Sequence, residues 1–358
     1  MYKSFQIQNF RCFDDLSLQK LARVNLVAGL NNVGKTALLE AIFLHVAAYN
    51  PAATLQLSAL RGIEGVKIEF GAWTESPWDS IFRNFDTSNP IRLVGDNEST
   101  GRRTLTLRVL TQAQEMASLR QYLPGKDEKS LSPLQAPAKV LELEYEQLGM
   151  HGKNQLILDQ KGVRIEPIPP SAPFPGFFVS DRAPRPSTED AELFGKLEVV
   201  NKQAELLRVL QLIEPRLKRL AMLVVEGLPL LHGDIGEERL MALPLMGGGM
   251  ARSMGLVLRL CNASNGVLLV DEIENGLHHS VMVEVWSAIR ELARNFNAQL
   301  IATTHSRECI EAAHEAFLRS KEGEFQLHRL ERTRDRIHVV TYEQEELGAA
   351  IETGLETR

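Results

Sequence analysis

Three short stretches hold the residues whose types and spacing can do chemistry: Gly29-Leu30-Asn31-Asn32-Val33-Gly34-Lys35-Thr36, Asp271-Glu272 behind Val267-Leu268-Leu269-Val270, and Ala302-Thr303-Thr304-His305-Ser306. The first fits GxxxxGK[ST] without a mismatch. Its glycines allow backbone N–H groups to turn inward around a phosphate chain, and a following helix N-terminus adds partial positive charge. Gly29, Asn31, Asn32, Val33, Gly34, Lys35, Thr36 and Ala37 are therefore the expected nucleotide cradle, with Lys35 on the β- and γ-phosphates and Thr36 on Mg²⁺. In the second stretch an apolar strand ends in carboxylates, which places charge at the edge of a parallel sheet where ligands of such folds bind. Asp271 is expected to act on Mg²⁺ through water. Glu272 faces the other way and is suited to polarise water near the γ-phosphate. His305 leaves the end of the next strand and is expected to contact the γ-phosphate or orient the water. Lys35, Glu272 and His305 are thus the candidate catalytic residues, and Thr36 and Asp271 the candidate metal ligands. His278 and His279 form no metal site, because neighbours on a helix point about 100° apart and no third ligand is spaced to join them.

These stretches need strands and helices to bring them together. The mostly apolar run 24–28 reads as a buried strand, and Leu38, Leu39, Ile42, Phe43 and Val46 place a helix over residues 35–48. Before them, residues 4–10 and 16–18 read as short strands. Alternating stretches at 66–70, 104–109, 140–145 and 155–158, separated by Gly, Asn, Asp and Pro, predict an antiparallel β lobe over residues 66–168. Prolines 167, 169, 170, 173, 175, 184 and 186 exclude regular helix and predict a connecting loop around a short strand at 177–180. Leu193, Leu197, Val200, Leu206, Leu207 and Leu210 predict helices in a lobe over residues 187–239. Core-like sequence then returns: a helix at 251–261, the strand 267–270, a helix with Val281, Val285, Ile289, Leu292 and Phe296 on one face, the strand 299–302, and a final hairpin with a short helix. The expected fold is α/β: a discontinuous P-loop core, 1–65 with 240–358, carrying the β lobe and the helical lobe.

Composition narrows the function classes. A chain of 358 residues with 44% hydrophobic and 24% charged residues can bury a large core. No apolar run approaches the roughly 20 residues that cross a membrane, and no secretory leader is evident at Met1-Tyr2-Lys3. Cys12, Cys261 and Cys309 are odd in number and scattered, which excludes a disulfide framework and fits a reducing, cytoplasmic setting. A net charge of -6 argues against a surface that coats nucleic acid, leaving only a local basic groove.

The start Phe5-Gln6-Ile7-Gln8-Asn9-Phe10-Arg11-Cys12-Phe13, the glycine loop, Asp271-Glu272 with Ile273-Glu274-Asn275-Gly276-Leu277-His278, and Thr303-Thr304-His305-Ser306 together resemble the ABC-type ATPases of the SMC, RecF and overcoming-lysogenization-defect group. The resemblance covers both ends of the chain. It implies ATP and Mg²⁺ as ligands, Arg11 near the nucleotide base, and a loop from Asn275 to His278 that meets a second subunit. It also implies a signature loop at Met246-Gly247-Gly248-Gly249-Met250-Ala251-Arg252-Ser253, where Gly247, Gly248 and Gly249 contact the partner's γ-phosphate. Met246 stands there in place of the usual serine, leaving glycine N–H groups, with Arg252 or Ser253, to make the contact. The glutamine loop has no clear counterpart beyond Ser180-Asp181-Arg182. The group's members imply an ATP-dependent head-to-tail homodimer acting on DNA repair or phage defence, with DNA and a separate effector such as a nuclease as partners. Too few residues follow the histidine strand for a nuclease domain in this chain. The alternatives are the ATPase subunit of a membrane transporter and an ATP-sensing scaffold with little turnover. A GTP switch is disfavoured, because Asn201-Lys202-Gln203-Ala204 lacks the carboxylate that would read guanine.

Overall fold

The computed structural model describes residues 1–61, 78–110, 139–159, 162–181, 188–318, 324–334 and 336–353. The expected strand at 66–70 and Arg182 lie outside them. Half-buried alternation makes β1 (Tyr2–Phe10) and β2 (Phe13–Leu18) an antiparallel hairpin, with Phe5 opposite Leu18 and Ile7 opposite Leu16. β3 (Val24–Ala28) is buried at every position and leads through the glycine loop into α1 (Lys35–Val46), followed by α2 (Ala53–Leu60). An antiparallel meander follows: β4 (Ile91–Asn97), β5 (Gly101–Val109), β6 (Lys139–Gln147), β7 (Met150–Asp159) and β8 (Gly162–Glu166). The chain continues with β9 (Gly176–Val179), α3 (Thr188–Val199), α4 (Gln203–Ile213), β10 (Arg219–Val225), β11 (Leu228–Asp234), β12 (Met241–Ala242) and α5 (Gly248–Asn262). It closes with β13 (Val267–Val270), α6 (Met282–Asn295), β14 (Gln299–Thr303), α7 (Arg307–Phe317), β15 (Phe325–Thr333), β16 (Arg336–Tyr342) and α8 (Gln344–Glu352).

These elements form two compact units. The first comprises Met1–Lys3, Gln19–Leu39 and Phe174–Arg358. Its 6-stranded sheet has the order β16-β15-β3-β14-β13-β9, parallel throughout except for the β15–β16 hairpin. Parallel neighbours need crossover connections, and α6 supplies the one between β13 and β14. Trp286, Ile289 and Leu292 of α6 pack with Leu300, Leu268 and Val270 of the sheet in one core. Each such side chain contributes about 1.5–3 kcal/mol by leaving water. The β3 and β13 strands thus sit on either side of β14, with the glycine loop, Asp271 and His305 at the carboxyl ends of adjacent parallel strands.

The second unit comprises Ser4–Leu18 and Glu40–Pro173, built on a 7-stranded sheet of order β2-β1-β4-β5-β6-β7-β8. Residues 4–18 and 40–61, expected with the P-loop core, fall in this unit instead; for the first stretch the reason is that β1 pairs in the antiparallel sheet. The region expected to be a helical lobe also differs. After α3 and α4 it contains the β10–β11 hairpin, in register from Arg219 opposite Asp234 to Val225 opposite Leu228. Glu226 (φ 51°) and Gly227 (φ 81°) make its two-residue turn, whose left-handed backbone matches the strand twist.

Candidate nucleotide site

The glycine loop owes its shape to positions where a side chain does not fit. Gly29 has φ 143°, and a Cβ there would lie 2.7 Å from the Leu330 carbonyl oxygen of β15. Gly34 has φ 112°, and Asn32 adopts φ 61°, a left-handed conformation that asparagine tolerates. The α1 ladder begins when Leu38 N–H donates to Gly34 O at 2.9 Å, so the amides of the first helical turn have no intrahelical acceptor, whereas Val33 N–H in the loop donates to Leu30 O at 3.3 Å. Lys35 is buried, and its Nζ donates to Gly29 O at 2.7 Å and Leu30 O at 3.2 Å. Burial lowers its pKa, against the opposing pull of Glu272, Asp271 and Glu274. Arg332 of β15 donates to Asn32 O at 3.3 Å, a contact for which the sequence carried no signal.

The acids meet this loop from β13. Thr36 Oγ1 donates to Asp271 Oδ2 at 2.8 Å, and Thr303 Oγ1 donates to Asp271 Oδ1 at 2.6 Å. Burial raises the Asp271 pKa, while the hydrogen bonds from Thr303 and Thr36 act the other way. The next residue, Glu272, has φ 49°, a left-handed conformation costing a residue with a Cβ roughly 1–2 kcal/mol. Its surroundings over-determine that backbone. Glu272 N–H donates to Thr303 Oγ1 at 2.8 Å, and its carbonyl accepts from Arg252 Nη2 at 2.8 Å and from Asn275 N–H at 3.0 Å. Its carboxylate accepts from Asn275 Nδ2 at 2.7 Å. His305 Nδ1 lies 3.1 Å from Glu274 Oε1 and 3.7 Å from Glu272 Oε1, and His305 N–H also donates to Glu274 Oε1, at 2.9 Å. Lys35, Thr36, Asp271, Glu272 and His305 therefore converge within one unit. Sequence reasoning missed Glu274 and Thr303, which carry no motif of their own. Their signal was proximity to motif residues and strand ends.

Gly247, Gly248 and Gly249 open α5, with Gly247 (φ 115°) as its N-cap. Gly249 lies against Gly276 in the loop after β13: a Cβ on Gly249 would come 2.1 Å from the Gly276 carbonyl oxygen. Arg252 is not available to a phosphate as expected. It is buried, and its guanidinium donates to Ser180 O at 2.6 Å and to the carbonyls of Asp271 and Glu272. Arg11 belongs to the second unit, where its Nε pairs with Glu40 Oε2 at 2.6 Å and Nη1 donates to Ser80 O at 3.3 Å. No cluster that could hold a metal through three or more His, Cys, Asp or Glu side chains occurs among the described residues, and His278 instead accepts from Ser280 N–H as a helix cap.

The residues present fit a magnesium–triphosphate. Hydroxyl and carboxylate oxygens of Thr36 and Asp271 are the hard donors magnesium takes. Helix amides and a buried ammonium face the same place, and Glu274 Oε2 is buried without a hydrogen-bond partner among the described residues.

The family described as AAA ATPase domain matches residues 1–98 and 191–310, more than half of the chain. An ATP/GTP phosphatase of Helicobacter pylori is 22% identical over 340 residues, covering 87% of each chain. An uncharacterized protein of Methanocaldococcus jannaschii is 40% identical over 48 residues, 13% of this chain and 22% of that one. The solved SmcHead bound to the C-winged helix domain of ScpA superposes with a TM-score of 0.51 at 10% identity, covering 98% of this chain and 99% of that one, a likeness of fold. Family match, fold and site converge: the chain belongs to the AAA ATPase domain family, an ATPase whose P-loop core shares the fold of the SMC head.

Proposed function

We propose that the chain binds ATP with Mg²⁺ in the Gly29–Thr36 cradle and hydrolyses it between two head-to-tail copies, using the resulting opening and closing to control a partner. The observation that carries this reading is the 2.8 Å bond from Thr36 to Asp271, which joins positions 235 residues apart. Magnesium, when bound, would supply positive charge beside the phosphates, and Thr36 would hold it together with Asp271, the latter through water. Lys35 exchanges the loop carbonyls for phosphate oxygens, while the amides of Gly29 to Ala37 enclose the chain of phosphates. Glu272 orients the attacking water and takes its proton. Glu274 holds Nδ1 of His305, leaving Nε2 for the γ-phosphate.

The second copy supplies Gly247, Gly248 and Gly249 to the γ-phosphate. Arg11 is the proposed base contact, DNA and a separate effector such as a nuclease are the proposed partners, and the cytoplasm is the proposed location. The solved SMC head carries a bound domain of another protein, which supports a partner-controlling role. An ATP-sensing scaffold with little turnover is the second reading, favoured by Met246 where a signature hydroxyl would stand.

Lys35→Ala should abolish ATP binding measured by a fluorescent nucleotide analogue. Glu272→Gln should keep binding, lose hydrolysis and accumulate an ATP-bound dimer by size-exclusion chromatography with light scattering. Normal hydrolysis by Glu272→Gln would remove Glu272 as the base. Wild-type binding with no turnover would favour the scaffold.

A further inference from the structure

Arg252 is a charged residue at the start of the second turn of α5, yet it is buried, and no carboxylate among the described residues pairs with its guanidinium. Its hydrogen bonds go to backbone carbonyls: Ser180 at the end of β9, and Asp271 and Glu272 at the end of β13. Its Nε has no partner among the described residues. A guanidinium stays protonated and presents donors in a fixed fork, so a single side chain can hold several carbonyls at set angles. One of those carbonyls belongs to the residue with the left-handed backbone, Glu272 (φ 49°). The turn before it in α5 touches the loop after β13 as well, at Gly249 against Gly276, where the backbones approach too closely for any Cβ. Gly276 follows Asn275, whose side chain holds the Glu272 carboxylate.

We infer that Arg252 is the positioning residue for Glu272. It ties the backbone of the catalytic glutamate to the turn that carries Gly247, Gly248 and Gly249, so that the glycine turn and the base move as one body. The inference rests on the proposed roles of Glu272 and of the glycine turn. When a partner's γ-phosphate seats on that turn, the orientation of α5 sets the aim of Glu272 in the same copy, and each site becomes competent only when its neighbour is filled. Arg252 itself touches neither phosphate nor water.

A positioning role separates kcat from binding. Arg252→Lys keeps the charge and loses the fork, and Arg252→Ala loses both. The full-length variants are compared with wild type for affinity toward a fluorescent ATP analogue, for kcat and KM, and for the rise of specific ATPase rate with protein concentration. Arg252→Lys should bind ATP within about threefold of wild type while kcat falls by at least tenfold and the dependence on concentration flattens. Arg252→Ala should be lower in kcat again, with partial recovery on adding millimolar guanidinium. Wild-type kcat in Arg252→Lys overturns the inference, and so does loss of ATP binding in parallel with kcat in both variants, which would make Arg252 a structural clamp. Lys35→Ala and Glu272→Gln run alongside keep the outcomes apart. If those controls behave as proposed, only the Arg252 claim falls; if they do not, the proposed site itself falls.

Discussion

Asp271 is held in a form that folding alone disfavours. Burial raises its pKa from the ordinary aspartate value, even though Thr36 and Thr303 both donate to it. A group protonated more readily in the folded than in the unfolded state costs stability as pH rises. The penalty is absent below the ordinary carboxylate pKa and is fully present once pH exceeds the raised folded value. Asp271→Asn removes the charge at nearly constant volume, and the threonine hydroxyls can rotate to meet the amide. The nucleotide-free variant should therefore melt higher than wild type near neutral pH, by about 2 °C for each kcal/mol relieved. That difference should shrink as pH falls toward 4, as measured by differential scanning fluorimetry across a pH series. The same variant should lose the upward Tm shift that ATP with Mg²⁺ gives the wild type, because stabilisation by a ligand depends on its affinity for the folded state. A lower Tm at neutral pH would mean that the threonine hydrogen bonds outweigh the burial of charge.

Elements decide whether such residues meet, and here two kinds of sequence signal behaved differently. The run from β3 through the glycine loop to α1 was legible because buried strand, glycine spacing and helical periodicity are each written in side-chain types. The same holds for β13 and β14, whose apolar residues lead straight to Asp271 and His305. The β10–β11 hairpin was not legible: Glu226 is an unusual residue for a left-handed turn, and the preceding leucines suggested that helix would continue. Arg252 was misread for a related reason. Its partners are carbonyls of Ser180, Asp271 and Glu272, and a carbonyl has no sequence signature, so a lone arginine beside glycines looked like a phosphate ligand. The glycines of the turn can be told apart only by what surrounds them. Gly248 has nothing within 4 Å of an added Cβ, whereas Gly249 would drive a methyl to 2.1 Å from Gly276 O. Gly248→Ala should therefore leave Tm within about 1 °C of wild type. Gly249→Ala should destabilise by roughly 1–3 kcal/mol as overpacking forces the backbones apart, read by urea denaturation. Equal effects would show that α5 and the loop after β13 separate freely.

At the scale of the molecule, the proposed cycle needs each triphosphate to be read by two copies, and head-to-tail symmetry makes that need testable without seeing the assembly. A closed two-fold dimer uses the same pair of surfaces twice, so every site combines the Gly29–Thr36 loop of one copy with the glycine turn of the other. Lys35→Ala destroys the first surface and leaves the second. Gly248→Asp does the reverse: the open space around Gly248 lets the fold accept the side chain, but its carboxylate stands where a partner's γ-phosphate would approach the N-terminus of α5. Like charge at that position repels the phosphate that the helix end otherwise attracts. Each variant alone should have little ATPase activity, Gly248→Asp while still binding ATP. Mixing them should restore measurable turnover: half the random pairs are mixed and each has one whole site, so independent sites would give roughly a quarter of the wild-type rate, and the coupling through Arg252 should hold recovery well below that quarter because the neighbouring site is empty. Recovery in the mixture would require catalysis across two copies. If Gly248→Asp alone hydrolyses ATP at the wild-type rate and the mixture shows no more than that variant's own share, the glycine turn takes no part and each copy works by itself.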